Sequence, residues 1–375
     1  METNNTDIFP SFAVEWELQL LSSDDRCLVN KSMQLLDTLP HAGWYRPEFF
    51  QSSIEVHSSI CHNLSQLSDN LKKRLEELRS SSKTLGIDLS GGGTHPFDQQ
   101  LIEFTPLHRY MEMEKKACYI GKLLSTFSFH IHVNVKSLED SIYLLNGITP
   151  YLPLLLALSA NSPFYHGKRT GFQSFRTRLL SMDRSYGLPP RFKSVKQFRN
   201  FYLLAQKTHT FENYKDIHWY LRPRPEISTL ECRIMDSPTS IREAVKLTAF
   251  FLGIYLIIKK DVAIEIEGID TWPLNLPSWI NKENIFRASH YGPDAEMIVS
   301  ENGKMVKMKD FIKKLLPYIE EQFSDLSEEE LMDIFEGAAN QSPADKQQDI
   351  FHNHHSFEEL SNYMVSHLML NNIPF

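Results

Sequence analysis

The chain has 375 residues, of which 42% are hydrophobic, 11% aromatic and 23% charged, a globular composition that excludes a disordered tail or a fibre. Its 39 basic and 47 acidic residues leave a formal net charge of −8, with no run of Lys and Arg long enough to track a phosphate backbone, which argues against nucleic acid as the main partner. Four cysteines, Cys27, Cys61, Cys118 and Cys232, form no CxxC pair and are too sparse for a disulfide framework, so a reducing compartment is expected.

The opening METNNTDIFP lacks a basic segment followed by an apolar one, so no signal peptide is expected. The segment FAVEWELQLL then reads as a strand, with Val14, Trp16 and Leu18 on one face and Glu15, Glu17 and Gln19 on the other. From about Ser58, apolar positions at Ile60, Leu64, Leu67, Leu71, Leu75 and Leu78 mark one stripe of an amphipathic helix that ends before Gly86. The glycine-rich SGGGTHPF, Ser90 to Phe97, is expected to be a flexible loop, and it lacks the GKS or GKT ending of a phosphate-binding P-loop.

The strand STFSFHIHVNV sets Phe127, Phe129, Ile131 and Val133 against Ser128, His130, His132 and Asn134. Helix starts are expected at Ser137 with Asp140, Ser194 with Gln197 and Ser240 with Glu243, and Pro150 and Pro153 should interrupt the first of these helices. STLECRIMD alternates again, with Glu231 and Arg233 opposite Leu230, Cys232 and Ile234. The apolar run Leu247 to Ile258 falls short of the ~18 residues that span a bilayer, so no membrane association is expected and the protein reads as soluble and cytoplasmic. Further helices are expected over Lys309 to Glu321, Glu328 to Glu336 and Phe357 to Leu370, and His352, His354 and His355 read as a solvated turn.

Together these elements describe an α+β fold, a mostly antiparallel sheet with helices covering its apolar face. Length alone leaves the domain count open. The organisation expected is one catalytic domain over residues 1–375, sheet-rich from about 10 to 260 and mainly helical from about 261 to 375.

Three strands each present acceptors on one face: Glu15 and Glu17, His130 and His132, and Glu231 beside Arg233. Each pattern has an ordinary structural reading, since ExE suits a solvated sheet face and Glu–Arg a surface pair. Converging carboxylates raise one another's pKa and need cations, and sites rich in oxygen suit Mg²⁺ or Mn²⁺. Glu48 and Glu55, seven residues apart in RPEFFQSSIEV, could join the same cavity.

The segments VEWELQL, PEFFQSSIEV, GGGTHPF, FHIHVNV, LPLLLALSANSPFYHGKRTGFQSFR, WYLRPRP and TLECRIMD occur in an order that resembles the type 2 glutamate-cysteine ligase family. These are ATP-dependent carboxylate-amine ligases with a catalytic domain similar to that of glutamine synthetase. The resemblance implies a curved sheet, ATP with Mg²⁺ or Mn²⁺ as cofactors, and metal ligation by Glu15, Glu17, Glu48, Glu55, His132 and Glu231. It implies a nucleotide phosphate contact and catalytic role for Arg233. Arg176 and Arg222 are expected to meet substrate carboxylate or phosphate, Arg176 as a catalytic group and Arg222 on the nucleotide, and His130 to orient its neighbours.

Ala13 stands where the family usually has Gly, Phe286 where Trp is usual, and Pro293 where Leu is expected, which leaves the shape of the substrate end open. Small-molecule partners, an acid, an amine and ATP, follow from the resemblance, and a homodimer is a reasonable expectation for a soluble enzyme. Two other readings stay open at this level: a zinc hydrolase using His130 and His132, against which the absence of HExxH and the excess of carboxylates weigh, and a silent member of the fold that binds nucleotide without turnover.

Overall fold

The computed structural model describes residues 9–97, 103–267, 269, 273–335, 337 and 340–370; most of the segment read for a signal peptide lies outside them. The strand expected near the start is β1, Phe12–Ser22, with Val14, Trp16, Leu18 and Leu20 fully buried on its apolar face. It is followed by β2 (Tyr45–Pro47), β3 (Ser53–His57), β4 (Ile87–Ser90) and β5 (Ser128–Asn134). Two short ladders come next, β6 (Phe164–Tyr165) with β7 (Lys168–Arg169), and β8 (Tyr186–Gly187) in parallel with β9 (His218–Trp219). β10 (Leu221–Arg224) and β11 (Thr229–Asp236) return to the main sheet.

That sheet runs β10-β11-β5-β1-β3-β2, with β4 on the far half of β1, and its pairs are antiparallel. Because side chains alternate with period two, this register carries one apolar face and one polar face across all the strands. A bulge between Cys232 and Met235 interrupts the alternation of β11. It leaves Ile234 and Met235 both buried and brings Asp236 back opposite Ser128.

Helices 64–84, 138–148, 152–159 and 241–259 cover the apolar face. The first begins later than expected: Asn63 caps it by accepting from Gln66 N, and Ile60 lies outside it, 70% exposed. Residues 58–61 follow the edge of β1 instead, where Phe12 and Cys61 exchange backbone hydrogen bonds of 3.0 and 2.7 Å. The three serine caps are present, with Ser137, Ser194 and Ser240 accepting from Asp140 N, Gln197 N and Glu243 N. Pro150 sits in a short 3-10 turn, Thr149–Tyr151, that joins helices 138–148 and 152–159. By composition the stretch Leu138–Ser159 could cross a membrane, but 83% of its apolar window is buried against the rest of the fold.

Beyond the sheet, helices run over Met308–Glu320, Glu328–Phe335 and Phe357–His367; Glu336, expected in the second, lies outside the described residues. The His cluster differs from the expected turn. A capping box of Ser342 with Asp345 starts a helix, Pro343–His354, whose last turn holds His352 and His354, with His355 as its left-handed cap. All three are exposed.

The glycine-rich segment is a buried packing element rather than a flexible loop. Gln19 Nε2 donates to Gly91 O at 2.7 Å, Gly92 N to Ser237 O at 3.0 Å and Gly93 N to Asn161 O at 2.9 Å. A Cβ on Gly91 would lie 1.9 Å from Pro238 O, so only glycine allows the loop to lie against the end of β11.

Candidate active site

Register gathers the candidate residues. Glu17 stands opposite Glu55, Glu15 opposite both His57 and His130, and His132 opposite Glu231, which in turn faces Arg222. A stepped polar row therefore crosses the sheet from β10 to β3, shifting by two residues at β1, where Ala13 faces His132 and Glu15 faces His130. Within it, Glu15 lies 3.2 Å from both His130 Nδ1 and His132 Nε2, and His57 Nε2 lies 2.5 Å from Glu55. Glu17 accepts from Ser128 N at 2.6 Å and approaches His130 Nε2 at 3.7 Å.

Burial opposes every charge here, and the neighbours decide which groups ionise. Burial, then the charges of Glu55 and Glu17, push Glu48 well above the usual carboxylate range; burial, Glu15 and Glu17 do the same to Glu55. Burial would also raise Glu15, but His132 and His130 outweigh it and hold that carboxyl well below its ordinary value. Glu231 is likewise low, because Arg222, Arg233 and His132 overcome its burial. Burial and Arg233 lower His130, whereas Glu231 and Glu15 raise His132 against its burial.

A divalent cation fits this arrangement. His130 Nε2 is buried and takes no hydrogen bond, an arrangement that costs about 1–3 kcal/mol unless something occupies the lone pair, and His132 Nε2 faces the Glu15 carboxylate at 3.2 Å, where a cation would replace its proton. Three groupings bring one potential ligand atom from each residue within 4.8 Å of the others: Glu15, His132 and Glu231; Glu15, Glu55 and His57; Glu17, Glu55 and His130. Five of the six expected ligands appear in them. Glu48 does not; it lies near enough for Glu55 and Glu17 to act on it, and its carboxylate accepts from Phe49 N at 3.1 Å.

The pattern of the glutamate-cysteine ligase family 2 matches residues 12–363 of the chain. The chain belongs to this family. A Trichormus variabilis protein named "Putative glutamate--cysteine ligase 2" is 38% identical over 313 residues, covering 83% of this chain and 80% of the relative. A Thermobifida fusca protein of the same name is 32% identical over 314 residues, covering 82% and 77%. The fold is similar to that of a Francisella tularensis glutamate-cysteine ligase solved with AMP, with a TM-score of 0.67 at 13% identity over 98% of this chain and 90% of the other. It is also similar to a bifunctional glutathione synthetase from Pasteurella multocida, with a TM-score of 0.68 at 15% identity over 95% and 52%. At these identities the structural likeness is one of fold.

The arginines of this family member separate by what they touch. Glu231 accepts from Arg222 Nε at 2.8 Å, Arg222 Nη2 at 3.0 Å, Arg224 Nη1 at 2.9 Å and also from Arg233. These four bonds fill the lone pairs of a carboxylate, so a cation reaches Glu231 only if an arginine turns away. Arg222 further donates to the carbonyls of Lys215 and Ile217, which leaves it anchoring the segment that leads into β9. Arg176, only 2% exposed, spends its donors on Ser128 Oγ, Ile234 O and Arg233 O. Thus the two arginines expected to meet substrate are held by protein acceptors, while Arg233 keeps its Nε without a partner.

Sequence reading missed His57 and Arg224, although period-two spacing carried both: His57 follows Glu55 by two on β3, and Arg224 follows Arg222 by two on β10. His130, read as orienting its neighbours, belongs to a potential ligand grouping.

Proposed function

We propose that the chain is an ATP-dependent carboxylate-amine ligase that joins glutamate to cysteine through an acyl phosphate, working as one catalytic domain. The observation that carries this reading is the gathering of carboxylates and imidazoles on one sheet face, with the buried His130 Nε2 unpartnered and a guanidinium beside it with a donor to spare.

Amide formation at neutral pH needs a better leaving group than oxide. The γ-phosphoryl group of ATP supplies it when transferred to the acid, and the amine then displaces phosphate. Mg²⁺ or Mn²⁺ supplies the neutralising charge that lets a polyanion approach a carboxylate. In this reading Glu15, Glu17 and Glu55 hold the cation with His57, His130 and His132. Arg233 stabilises the charge that develops on the transferring group. Arg222 and Arg224 keep Glu231 ionised and in place, and Arg176 fixes Ser128, whose amide orients Glu17.

The test is a coupled assay of ADP release. It is expected to require acid, amine and Mg²⁺ or Mn²⁺ together, and Glu15→Gln is expected to abolish it. No turnover across a panel of amino acids would defeat the proposal; nucleotide binding alone would then point to a silent member, and stoichiometric tightly held zinc to a hydrolase.

A further inference from the structure

At the β10 edge of the polar row lies a second constellation, which the ligase reading leaves unused. Trp219, Tyr220 and Leu221 all pack into the core, while the His218 ring beside them is only partly buried and Arg222 bonds Glu231 on the polar face. The His218 ring stacks on Tyr186 across the β8–β9 pair, with centroids 4.8 Å apart and planes 13° apart. Tyr220 O accepts from Arg233 N at 2.8 Å, which ties this edge to β11, the strand that carries Arg233.

Hydrogen-bond accounting fixes the tautomer. Ser185 Oγ lies 2.6 Å from Asp183 Oδ1 and 2.8 Å from His218 Nδ1. A carboxylate only accepts, so the single hydroxyl proton goes to Asp183, and the serine oxygen must receive the proton on Nδ1. Nε2 therefore carries a bare lone pair, and among the described residues it takes no hydrogen bond.

The charges that bear on the ring are Arg233, Arg222 and Arg109, opposed by Glu231, with Asp183 on its own side. Burial first, and then the three guanidiniums, hold the imidazole well below its ordinary value. This favours the neutral ring, whose Nε2 is then a hydrogen-bond acceptor and a base weaker than a free imidazole.

We infer that His218 Nε2 is the base that removes the proton from the attacking amine, with Ser185 and Asp183 as positioning residues. This inference rests on the ligase reading above. When the amine nitrogen attacks the acyl phosphate carbonyl, the C–N bond forms and the nitrogen becomes cationic. One of its protons passes to Nε2. The C–O bond to the phosphoryl group breaks, phosphate leaves with the electron pair, and the imidazolium returns the proton to the departing phosphate. The acidity of the cationic nitrogen in the tetrahedral intermediate suits a base of lowered basicity.

The test compares two nucleophiles on one acyl phosphate: cysteine, and hydroxylamine, a far weaker base whose cationic adduct is acidic enough to give its proton to water without a base on the protein, so that it reports the activation step. His218→Asn keeps a donor toward Ser185 but has no base. It is expected to lose amide formation by ~10²-fold while hydroxamate formation stays unchanged. Added imidazole is expected to restore part of the activity to His218→Ala. Ser185→Ala, which keeps the ring and removes the tautomer lock, is expected to lower amide formation selectively and reads the same role if His218→Asn fails to fold. In variants with native circular dichroism, equal loss of both products, or loss of neither, overturns the base assignment. A wild-type protein that forms neither product overturns the ligase reading itself, and the base assignment with it.

Discussion

Glu17 on β1 faces Glu55 on β3 in direct cross-strand register, two carboxylates on the same side of an antiparallel pair. Both are at least nine-tenths buried, at 7% and 6% exposure. Ionising both would set like charges side by side, which destabilises a sheet, and burial with Glu15 and Glu17 accordingly holds the Glu55 carboxyl well above its ordinary value. The fold therefore keeps a local electrostatic penalty in place, and this is the physical reason to expect that a cation and the folded state are coupled.

Cation binding should accordingly stabilise the protein. At a concentration of 100 times Kd, one bound ion adds ~2.7 kcal/mol, which differential scanning fluorimetry in EDTA against added ion will detect as a rise in Tm. Mn²⁺ should act at lower concentration than Mg²⁺, because each grouping includes an imidazole nitrogen and nitrogen ligands favour the later transition ion. Glu17→Gln should remove most of the response. An equal response in the variant would place the ion elsewhere.

The raised carboxyls give a pH signature of definite sign. Glu48 is held well above 4.5 in the folded protein, so its contribution to stability is fully present below the ordinary value. It is lost as pH rises through the folded value, because the buried group resists ionising. In the metal-free protein Glu48→Gln should thus leave Tm unchanged near about pH 4 and raise it at about pH 8. The opposite trend would mean that Glu48 is ionised and paired. Glu15 and Glu231, held low, act in the other direction, losing their contribution only as pH falls below 4.5.

The buried glycine segment supplies a test of packing. A Cβ on Gly91 meets the backbone of Pro238 at 1.9 and 2.7 Å, neither of which is the end of a flexible side chain. Gly91→Ala should therefore cost ~3 kcal/mol or more, at the upper end of overpacking. Nothing lies within 4 Å of a Cβ on Gly43, so Gly43→Ala should stay within about 0.5 kcal/mol. Urea midpoints of the two variants compare them directly, and similar values would refute the account of the loop.

Much of this was legible in the chain because period-two alternation forces side chains to one face. FAVEWEL, FHIHVN and TLECR each displayed an apolar and a polar row, and antiparallel pairing merged those rows into the observed one. Serine caps were legible for a similarly local reason. The rigidity of the glycines was not, since it depends on Pro238 and Ser237, far away in sequence. Nor could the sequence reveal that Arg222, Arg224 and Arg233 all converge on Glu231, because β10 and β11 had to pair first. Residue type announced arginines, but only tertiary contacts decide which of them has a donor left.

That distinction separates Arg176 from Arg233 experimentally. Arg176 lies 3.6 Å from the fully buried Asp236, and its guanidinium also joins Ser128 to the carbonyls of β11. Arg176→Ala leaves a buried carboxylate without its counter-charge, so it should destabilise by roughly 3–5 kcal/mol. Ser162, Ser174 and the Asn161 amide still bond Asp236, which places the expected loss toward the lower end. Arg233→Ala removes one of three guanidiniums on Glu231 and leaves Arg222 and Arg224 holding it. Its melting temperature should move little, while ADP release should fall by ~10²–10³, the effect of deleting a group that stabilises transition-state charge. A variant of Arg176 that melts normally but does not turn over, or one of Arg233 that unfolds with its activity per folded molecule intact, would reverse the two assignments.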